Sequence, residues 1–306
     1  MEETRAARGA SPEAIRHHYD VGNDFYRLWL DPTLTYSCAL WSEDDRDDML
    51  EIAQRRKIEY HAQSARARGA ERVLDIGCGW GAVLKHLVEE QGVRQAVGLT
   101  LSRQQAEWIA SFNHAGIEVR LESWTEHVPT EPYDAVVSIG AFEHFARPEW
   151  DDEQKVAAYR TFFTRCHEWL RPGGRLSLQT IAFGDIDPTQ IRTSSQIRFI
   201  AQEIFPESAL PTLGQIIQAS DGLFEVVALR NDRENYERTC RVWCSRLTAQ
   251  RRQAVAAAGE DVVARYVRYL RLSAASFQFG QTWLLRFAFR RLDGRRSYAA
   301  TGIKAA

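Results

Sequence analysis

The segment Val73–Leu87, with the sequence VLDIGCGWGAVLKHL, constrains the fold of this chain more than any other. A short apolar run ends near Asp75, a G-x-G-x-G turn follows, and a helical pattern begins directly after the turn. Glycine lets the backbone turn sharply and approach a ligand without a side chain in the way. The segment therefore predicts a buried strand, a ligand-binding turn at Gly77, Gly79 and Gly81, and a helix.

Segments with strand and helix patterns alternate around this turn. The predicted strands are Arg72–Ile76, Gln95–Thr100, Ile117–Leu121, Asp134–Gly140, Arg175–Ile181, Phe224–Arg230 and Gln281–Arg290. The predicted helices are Asp47–Arg68, Ala82–Glu90, Ser102–Asn113, Asp151–Leu170, Tyr236–Leu247 and Asp261–Phe277, with a mostly helical stretch at Thr189–Ala219 that is interrupted near Pro206 and Pro211. Alternation at this spacing predicts an α/β fold, with a seven-stranded, mostly parallel sheet that is covered on both faces.

Several element ends carry their own signals. Ser11, followed by proline, predicts a helix start, and Ser102 is expected to cap the helix that it opens. Gly173 or Gly174 is expected to end a helix in the left-handed conformation. Gln281–Arg290 has a β-rich composition and is expected to close the sheet at its edge. An amphipathic segment on a membrane surface is the alternative for this run.

The chain is predicted to form one domain. The expected boundaries are a flexible tail at 1–10, a single domain at 11–290 and a C-terminal tail at 291–306. Within the domain we expect an N-terminal helical lid at 11–70, a ligand-binding core at 71–182, and acceptor-pocket helices with the last strands at 183–290.

Composition argues against several classes of function. The 39 basic and 41 acidic residues leave a net charge of -2, which disfavours a nucleic-acid binder that relies on a basic field. The five scattered cysteines fit reduced thiols better than a disulfide framework, and no cysteine–histidine pattern predicts a metal site. No apolar run approaches the roughly 20 residues of a membrane span, and the first ten residues lack a signal-peptide pattern. A cytoplasmic protein, with peripheral membrane contact at most, is expected.

The glycine turn differs from the dinucleotide fingerprint. That fingerprint needs G-x-G-x-x-G and an acidic residue about 20 residues later, where it binds the ribose hydroxyls. Here the end of the second strand reads GLTLS (Gly98–Ser102), without an acid. The sequence therefore disfavours a nicotinamide-dependent dehydrogenase.

Four motifs occur together in a fixed order. They are TYSCALW (Thr35–Trp41), VLDIGCGWG, GLTLS followed by Gln105, and SIGAFEHF (Ser138–Phe145). With this order the chain resembles the cyclopropane-fatty-acyl and mycolic-acid cyclopropane synthase family of class I S-adenosylmethionine (SAM)-dependent methyltransferases. HHYDVGNDFYRLWLDP (His17–Pro32) and EIFP (Glu203–Pro206) are similar too, so the resemblance extends from Ser11 to Arg290. It implies a Rossmann-like SAM methyltransferase sheet with helical additions that form an acceptor pocket.

The resemblance also implies which residues bind SAM. The glycine loop, with Asp75 before it and Gly77 and Gly79 within it, lies beneath the methionine end of the donor. The other implied contacts are Tyr36 and Ser37 at the methionine end, Thr100, Leu101 and Gln105 at the ribose, and Trp124 beside the adenine.

A bound bicarbonate ion acts as the base in the family. The resemblance implies that it is held by the backbone near Cys38, the Glu143 side chain, the Ile181 backbone, Tyr236 and a histidine on the fifth strand. At the histidine position this chain has Gln179. A glutamine amide donates hydrogen bonds to an anion but does not titrate near neutrality. Cyclopropane closure, methyl branching and an exomethylene product therefore all stay open.

An alkene is a weak nucleophile, so its methylation requires a dry, ordered site. Aromatic faces and a carboxylate such as Glu143 can stabilise the carbocation that results, which gives a role to the nine Trp, ten Tyr and 14 Phe residues. The expected acceptor is an unsaturated acyl chain, either free or bound to a carrier protein, or an isoprenoid-like molecule. The alternatives are N- or O-methylation of a small specialised metabolite and a non-catalytic SAM-binding protein.

Overall fold

The computed structural model describes residues 9, 11, 21–42, 48–187 and 193–294. The helix predicted to begin at Ser11 lies outside the described residues, apart from Ser11 itself. The predicted N-terminal tail at 1–10 also lies outside them, except for residue 9. Of the predicted C-terminal tail, residues 295–306 lie outside, whereas Arg291 belongs to the last strand.

The described strands form one seven-stranded sheet. They are β1 (Arg72–Ile76), β2 (Gln95–Thr100), β3 (Ile117–Leu121), β4 (Tyr133–Ile139), β5 (Leu170–Phe183), β6 (Phe224–Asn231) and β7 (Thr282–Arg291). Their order in the sheet is β3-β2-β1-β4-β5-β7-β6. The first five strands in that order are parallel, and β7 runs antiparallel to both of its neighbours. The predicted α/β fold with a mostly parallel sheet is confirmed.

The prediction that the last strand closes the sheet at its edge is wrong. β7 lies between β5 and β6, and β6 forms the edge. The reason is burial, because Leu284 packs into one apolar cluster and Leu285 and Phe287 pack into another on the opposite face. β6 is exposed along nearly its whole length, which suits an edge strand.

The described helices pack on both faces of this sheet. They are α1 (Asn23–Arg27), α2 (Leu50–Ser64), α3 (Ala82–Glu89), α4 (Arg103–Ala110), α5 (Asp152–Trp169), α6 (Ser195–Glu203), α7 (Leu213–Ser220), α8 (Arg233–Ala249), α9 (Arg251–Ala258) and α10 (Glu260–Gln278), with a 3₁₀ turn at Phe142–His144. α9 was not predicted. The interruption near the two prolines is confirmed, since α6 ends before the first and α7 begins after the second.

Local capping decides most helix ends. The Ser102 hydroxyl accepts a hydrogen bond from the Gln105 N–H, as predicted, and Asp151 forms a capping box with Gln154 at the start of α5. The predicted glycine cap of α5 is wrong, because the helix ends at an extended Leu170. Gly173 does have a positive φ of 75°, but it lies inside β5 rather than at the end of α5.

A cluster of aromatic side chains joins the N-terminal segment to two C-terminal helices. Trp29 of the segment after α1 packs edge-to-face on Trp243 of α8, with ring centroids 5.7 Å apart, and Tyr26 bonds to Tyr266 of α10 through their hydroxyl groups, 2.9 Å apart. The aromatic surplus of the sequence therefore builds a core that ties the N-terminal segment to α8 and α10.

Candidate functional site

The loop after β1 has the backbone that the glycine motif predicts. Gly77, Gly79 and Gly81 have φ angles of 79°, 54° and 81°, which side chains other than glycine adopt only at a cost. The Gly77 N–H donates to the Leu99 carbonyl oxygen over 3.0 Å and fixes the turn against β2. A Cβ at Gly77 would lie 2.5 Å from the Ala141 Cβ. The loop thus requires glycine both for its conformation and for its space.

A cavity of about 380 Å³ opens over this loop. It lies at the carboxyl ends of β1, β2 and β4, where ligands bind in open α/β sheets. Its lining includes most of the residues predicted to bind the donor, namely Gly77, Gly79, Thr100, Leu101, Gln105 and Trp124. The structure therefore brings these six residues together, and we call this space the donor cavity.

Two polar residues of the donor cavity orient each other. The Thr100 hydroxyl donates to Oε1 of Gln105 over 2.7 Å, and it accepts from the Ser102 N–H over 3.1 Å. With its oxygen engaged, the Gln105 amide keeps its N–H donors for another partner. This arrangement presents neutral polar groups that would suit the hydroxyl groups of a ribose.

Trp124 forms the far wall of the donor cavity. Its ring packs edge-to-face on Phe162, with centroids 5.7 Å apart and planes at 89°, and it tilts against Phe145 at 4.9 Å. The indole is therefore held rigidly by the core on one side and borders the cavity on the other, as a flat surface for an adenine would be.

A smaller cavity of about 70 Å³ adjoins the glycine loop and contains the remaining predicted donor contacts, Tyr36, Ser37 and Asp75. The segment that carries Tyr36 and Ser37 is held by Asp31. The Asp31 carboxylate accepts from the N–H of Thr33 over 3.0 Å and from the N–H of Thr35 over 2.9 Å. The backbone of this segment is therefore fixed before any ligand arrives.

Lys57 of α2 also lines the small cavity, and sequence analysis missed it. Its ammonium is buried and donates to the Ser37 hydroxyl over 2.9 Å. Burial lowers the pKa of Lys57 to about 7, assisted by the charge of Arg286, and burial raises the pKa of Asp75 to about 7. Oδ2 of Asp75 has no hydrogen-bond partner among the described residues. A buried cation and a buried acid thus face one small space, which complements the zwitterionic end of an amino acid.

A third cavity, of about 540 Å³, lies between α6, α8, α10 and the ends of β5 and β7, and we call it the acceptor cavity. Its walls are mainly apolar and aromatic, and they include Ile181, Ile197, Ile200, Phe205, Leu210, Tyr269, Phe277 and Leu284. Three of the predicted catalytic side chains, Glu143, Gln179 and Tyr236, also line it.

Glu143 lies on the 3₁₀ turn after β4 and is buried. Its Oε1 accepts from the Ile181 N–H over 2.6 Å, whereas its Oε2 has no partner among the described residues. Burial raises the pKa of Glu143 to about 7, against the opposing effect of the Ile181 N–H. The structure thus pairs Ile181 with Glu143 and leaves one carboxylate oxygen available in the acceptor cavity.

Tyr236 lines the acceptor cavity, whereas the Cys38 side chain does not, and both groups are buried and protonated. Tyr236 stacks on Phe277, with centroids 4.5 Å apart, and burial, followed by Tyr269, raises its pKa well above the usual value. The Cys38 thiol is fully buried and donates to the Ala39 carbonyl oxygen over 3.1 Å. Burial raises the pKa of Cys38 to about 12, so this thiol is not an activated nucleophile.

His144, beside Glu143, lines both the donor and the acceptor cavity. Its Nδ1 lies 2.7 Å from the Ser208 hydroxyl, and burial lowers its pKa to about 4. It is therefore a neutral residue that ties the 3₁₀ turn to the segment before α7.

Sequence analysis also missed Arg286 and His61, which lie behind Gln179. Arg286 is fully buried and forms an ion pair with Asp232. The position of Arg286 could have indicated its role, because this charged residue interrupts an apolar run in a strand that is buried on both faces. A buried charge there needs a partner, since an unpaired one would strongly destabilise the fold. His61 and Lys57 share the buried face of α2 at a spacing of four residues, so both face the sheet.

The three cavities meet at Gly140, at the end of β4, which lines all of them. Tyr36 and Ser37 line both the small cavity and the acceptor cavity. A reactive group that spans the donor and small cavities would therefore face the apolar acceptor cavity beside Glu143. The arrangement can transfer a group from a polar donor to an apolar acceptor across adjoining cavities.

Among residues 9, 11, 21–42, 48–187 and 193–294, no three histidine, cysteine or acidic side chains form a cluster that could hold a metal ion. No helix in the same part of the chain is both long enough and apolar enough to cross a membrane.

Comparison with known proteins gives one consistent family. The family model for mycolic acid cyclopropane synthetase matches residues 7–287. Cyclopropane mycolic acid synthase 2 of Mycobacterium bovis is 36% identical over 289 residues, which is 90% of this chain and 93% of that protein.

Solved structures agree with the sequence comparison. The cyclopropane synthase MmaA2 from Mycobacterium tuberculosis has a TM-score of 0.83 and 33% identity, and the match covers 92% of this chain and 99% of that one. The mycolic acid cyclopropane synthase CmaA1, in complex with SAH and CTAB, has a TM-score of 0.82 and 33% identity, with 92% and 99% covered.

Proposed function

This chain belongs to the mycolic acid cyclopropane synthetase family, and from that premise we propose that it transfers a methyl or methylene group from SAM to an alkene carbon of an unsaturated lipid-like acceptor. The observation that carries the proposal is the junction at Gly140, where the donor, small and acceptor cavities meet beside the buried Glu143. SAM, when bound, supplies an electrophilic methyl sulfonium. The remaining chemistry belongs to the residues of the chain.

The chemistry of the residues in the donor and small cavities supports SAM as the ligand, independently of the family match. Asp75 has an unpaired buried oxygen and Lys57 a buried ammonium, which suit the amino group and the carboxylate of a methionine end. Gln105 and Thr100 present neutral polar groups for ribose hydroxyls, and Trp124 presents a flat face for adenine. Each part of the donor thus has a matching group in the two adjoining cavities.

The acceptor cavity favours a lipid over a small polar metabolite. Its walls are mainly aliphatic and aromatic, so a hydrocarbon chain releases water from apolar surface when it enters. The Tyr236, Tyr269 and Phe277 rings can stabilise a developing carbocation, at about 0.5–2 kcal/mol for each ring. N- or O-methylation of a small metabolite is not favoured, because it would need a polar binding site for the acceptor.

Glu143 provides the negative charge of the acceptor cavity. As an ionised group in an apolar site, its free Oε2 stabilises the positive charge that develops on the acceptor carbon. The Ile181 N–H fixes its Oε1 and so sets the direction of the other oxygen. Because the pKa of Glu143 is raised to about 7, the ionised form is present at neutral pH and above.

We keep bicarbonate as the proposed bound base. Bicarbonate both donates and accepts hydrogen bonds, and the unpaired Oε2 of Glu143 suits its hydroxyl, whereas the Tyr236 hydroxyl and the Gln179 amide suit its negative oxygens. The Ile181 N–H is engaged with Glu143, so in this chain it supports the ion through Glu143. When bound, bicarbonate would supply a proton acceptor of moderate basicity.

Three further features remain proposals. An acceptor presented on a carrier protein would suit the apolar acceptor cavity, since a tethered hydrocarbon chain can occupy the cavity while the carrier stays outside. Cytoplasmic location and peripheral contact with a membrane are also proposed, on the charge balance and composition of the chain.

The test is product analysis. Purified protein is incubated with methyl-labelled SAM and a panel of unsaturated acyl and isoprenoid acceptors, and the products are characterised by mass spectrometry and NMR. We expect label on a former alkene carbon, as a cyclopropane, a methyl branch or an exomethylene group. Label found only on nitrogen or oxygen would overturn the proposal. Glu143→Gln is the matched control, because it should bind S-adenosylhomocysteine (SAH) and give no product.

A further inference from the structure

The Gln179 side chain separates a buried polar cluster from the acceptor cavity. We propose that Arg286 and His61 are positioning residues, which lock the Gln179 amide so that its N–H donors point into the acceptor cavity beside Glu143. In this form Gln179 is a fixed, non-titrating donor for a small anion such as bicarbonate. The inference rests on the proposed function.

Arg286 decides which way the amide is turned. Gln179 on β5 and Arg286 on β7 are direct cross-strand partners, so their side chains leave the sheet on the same face. Nε of Arg286 donates to Oε1 of Gln179 over 2.8 Å. A guanidinium has no acceptor atom, so only the amide oxygen can lie on this side. The amide nitrogen therefore points the other way, toward the cavity that Gln179 lines.

His61 engages the same oxygen. Its Nε2 lies 3.2 Å from Oε1 of Gln179, and its Nδ1 lies 2.8 Å from the Ser177 hydroxyl. Burial, followed by the charge of Arg286, lowers the pKa of His61 well below its usual value, so the ring is neutral with one N–H. That N–H belongs on Nε2, because the Ser177 hydroxyl can donate to Nδ1. Two donors thus saturate the two lone pairs of one oxygen.

Contacts from three parts of the chain fix the guanidinium of Arg286. Arg286 forms an ion pair with Asp232, and its Nη2 donates to the carbonyl oxygens of Cys38 over 3.3 Å and of Ala39 over 3.1 Å. Because these partners come from the segment before α2, from the start of α8 and from β5, the guanidinium cannot rotate without breaking contacts to three parts of the chain. Its position, and with it the orientation of Gln179, is set by the fold.

The N–H donors of the Gln179 amide are available to a ligand in the acceptor cavity. Among the described residues, no hydrogen bond uses the amide nitrogen of Gln179, whose oxygen takes both contacts. Ile181, two residues further along β5, holds Glu143 through its N–H. The Gln179 donors and the free oxygen of Glu143 therefore border the same part of the acceptor cavity. A donor beside an acceptor is the pattern that a hydrogencarbonate ion requires.

The first test is the isosteric variant Gln179→Glu. Its carboxylate would still accept from Arg286 and His61, but it would turn an oxygen in place of the N–H donors toward the cavity. We expect the affinity for ¹³C-labelled bicarbonate, measured by NMR titration, to fall at least tenfold. We also expect kcat to fall at least tenfold at an unchanged acceptor KM, with SAH affinity unchanged. Bicarbonate affinity equal to that of the wild type would overturn the proposal, because a structural Gln179 would only gain a stronger pair with Arg286.

Gln95→Glu is the matched control. Gln95 of β2 accepts from Nε of Arg72 on β1 over 2.9 Å, also as a direct cross-strand partner, and it lines none of the three cavities. It makes the same amide-to-carboxylate change at an arginine–glutamine pair outside the cavities, where the amide nitrogen that is lost donates to Oε2 of Glu118 over 2.9 Å and does not face a cavity. We expect its bicarbonate and SAH affinities to stay within twofold of the wild type, and a larger loss of bicarbonate affinity would overturn the assignment to Gln179.

The second test separates orientation from charge. Arg286→Lys keeps the positive charge and loses the Nε donor, whereas Arg286→Gln combined with Asp232→Asn removes both charges of the pair. We expect both variants to lose at least fivefold in bicarbonate affinity while SAH binding, measured by calorimetry, persists. Wild-type affinity in Arg286→Lys would overturn the positioning role. If the wild-type protein does not bind SAH, the proposed function itself is refuted. If the Arg286 variants do not fold, the bicarbonate affinity of Gln179→Glu tests the proposal alone.

Discussion

Glu143→Gln should make the protein more stable and inactive at the same time. Glu143 is buried with one carboxylate oxygen unpaired, so its ionised form is desolvated without full compensation. The amide of glutamine keeps an oxygen for the Ile181 N–H and removes the charge. The increase in the free energy of unfolding therefore measures the desolvation free energy of an ionised carboxylate in the acceptor cavity.

The magnitude follows from the displacement of the pKa. A rise from 4.5 to about 7 corresponds to about 3 kcal/mol at pH 8, since one pKa unit is worth about 1.4 kcal/mol. Between these two values the folded state binds more protons than the unfolded state, so the free energy of unfolding of the wild type falls as pH rises from about 4.5 to 7. The advantage of Glu143→Gln should therefore reach about 3 kcal/mol at pH 8 and fall below about 1 kcal/mol at pH 5.

Urea unfolding of the ligand-free protein at pH 5 and pH 8 measures this difference. Glu131→Gln, at an exposed glutamate, is the matched control and should change stability by less than about 0.5 kcal/mol at both pH values. SAH affinity of the Glu143→Gln variant should remain while product formation is lost. A stability difference that does not change between the two pH values would refute the reasoning, because it would show that the carboxylate is not held under a desolvation penalty.

Three further outcomes are expected. Gly77→Ala should weaken SAH binding at least about tenfold in calorimetry, because the new Cβ meets Ala141 at 2.5 Å; Gly92→Ala, with a similar φ of 67° and open space around it, should leave that affinity unchanged. Trp124→Ala should also weaken SAH binding, and it should lower the free energy of unfolding by about 3–5 kcal/mol in urea titrations. Cys38→Ala should keep kcat within about threefold, since the thiol is buried and protonated. A complete loss of activity would show that the thiol itself takes part in the reaction.

The elements that carry a local pattern were predictable. β1, β2 and β3 have the predicted bounds, because a short apolar run between turn residues specifies a buried strand. The Ser102 cap was also predictable, since a cap depends on neighbours within a few residues. The donor contacts around the glycine loop were predicted from the family resemblance, and the structure places six of them around one cavity.

The errors concern non-local information. An apolar run such as β7 does not reveal its neighbours, so the sequence left its place between β5 and β6 undetermined. The predicted glycine cap of α5 failed because the chain enters β5 directly at Leu170, and pairing with Tyr133 of β4 outweighed the local turn preference. The position of β7 matters for function, because it is what places Arg286 opposite Gln179.

The orientation of Gln179 shows why composition at a site does not define its chemistry. A glutamine in place of a histidine removes a titrating group, and from the sequence this reads as a weaker base system. In the structure, Arg286 fixes the amide oxygen, and the buried Asp232 balances the charge of Arg286. The Arg286–Asp232 pair therefore orients the Gln179 amide without adding net charge near the carbocation that forms on the acceptor. An unpaired guanidinium at this place would destabilise that carbocation by charge repulsion. The loss of a titrating side chain is thus compatible with a precise anion site, provided that the base itself is the ion and not the side chain.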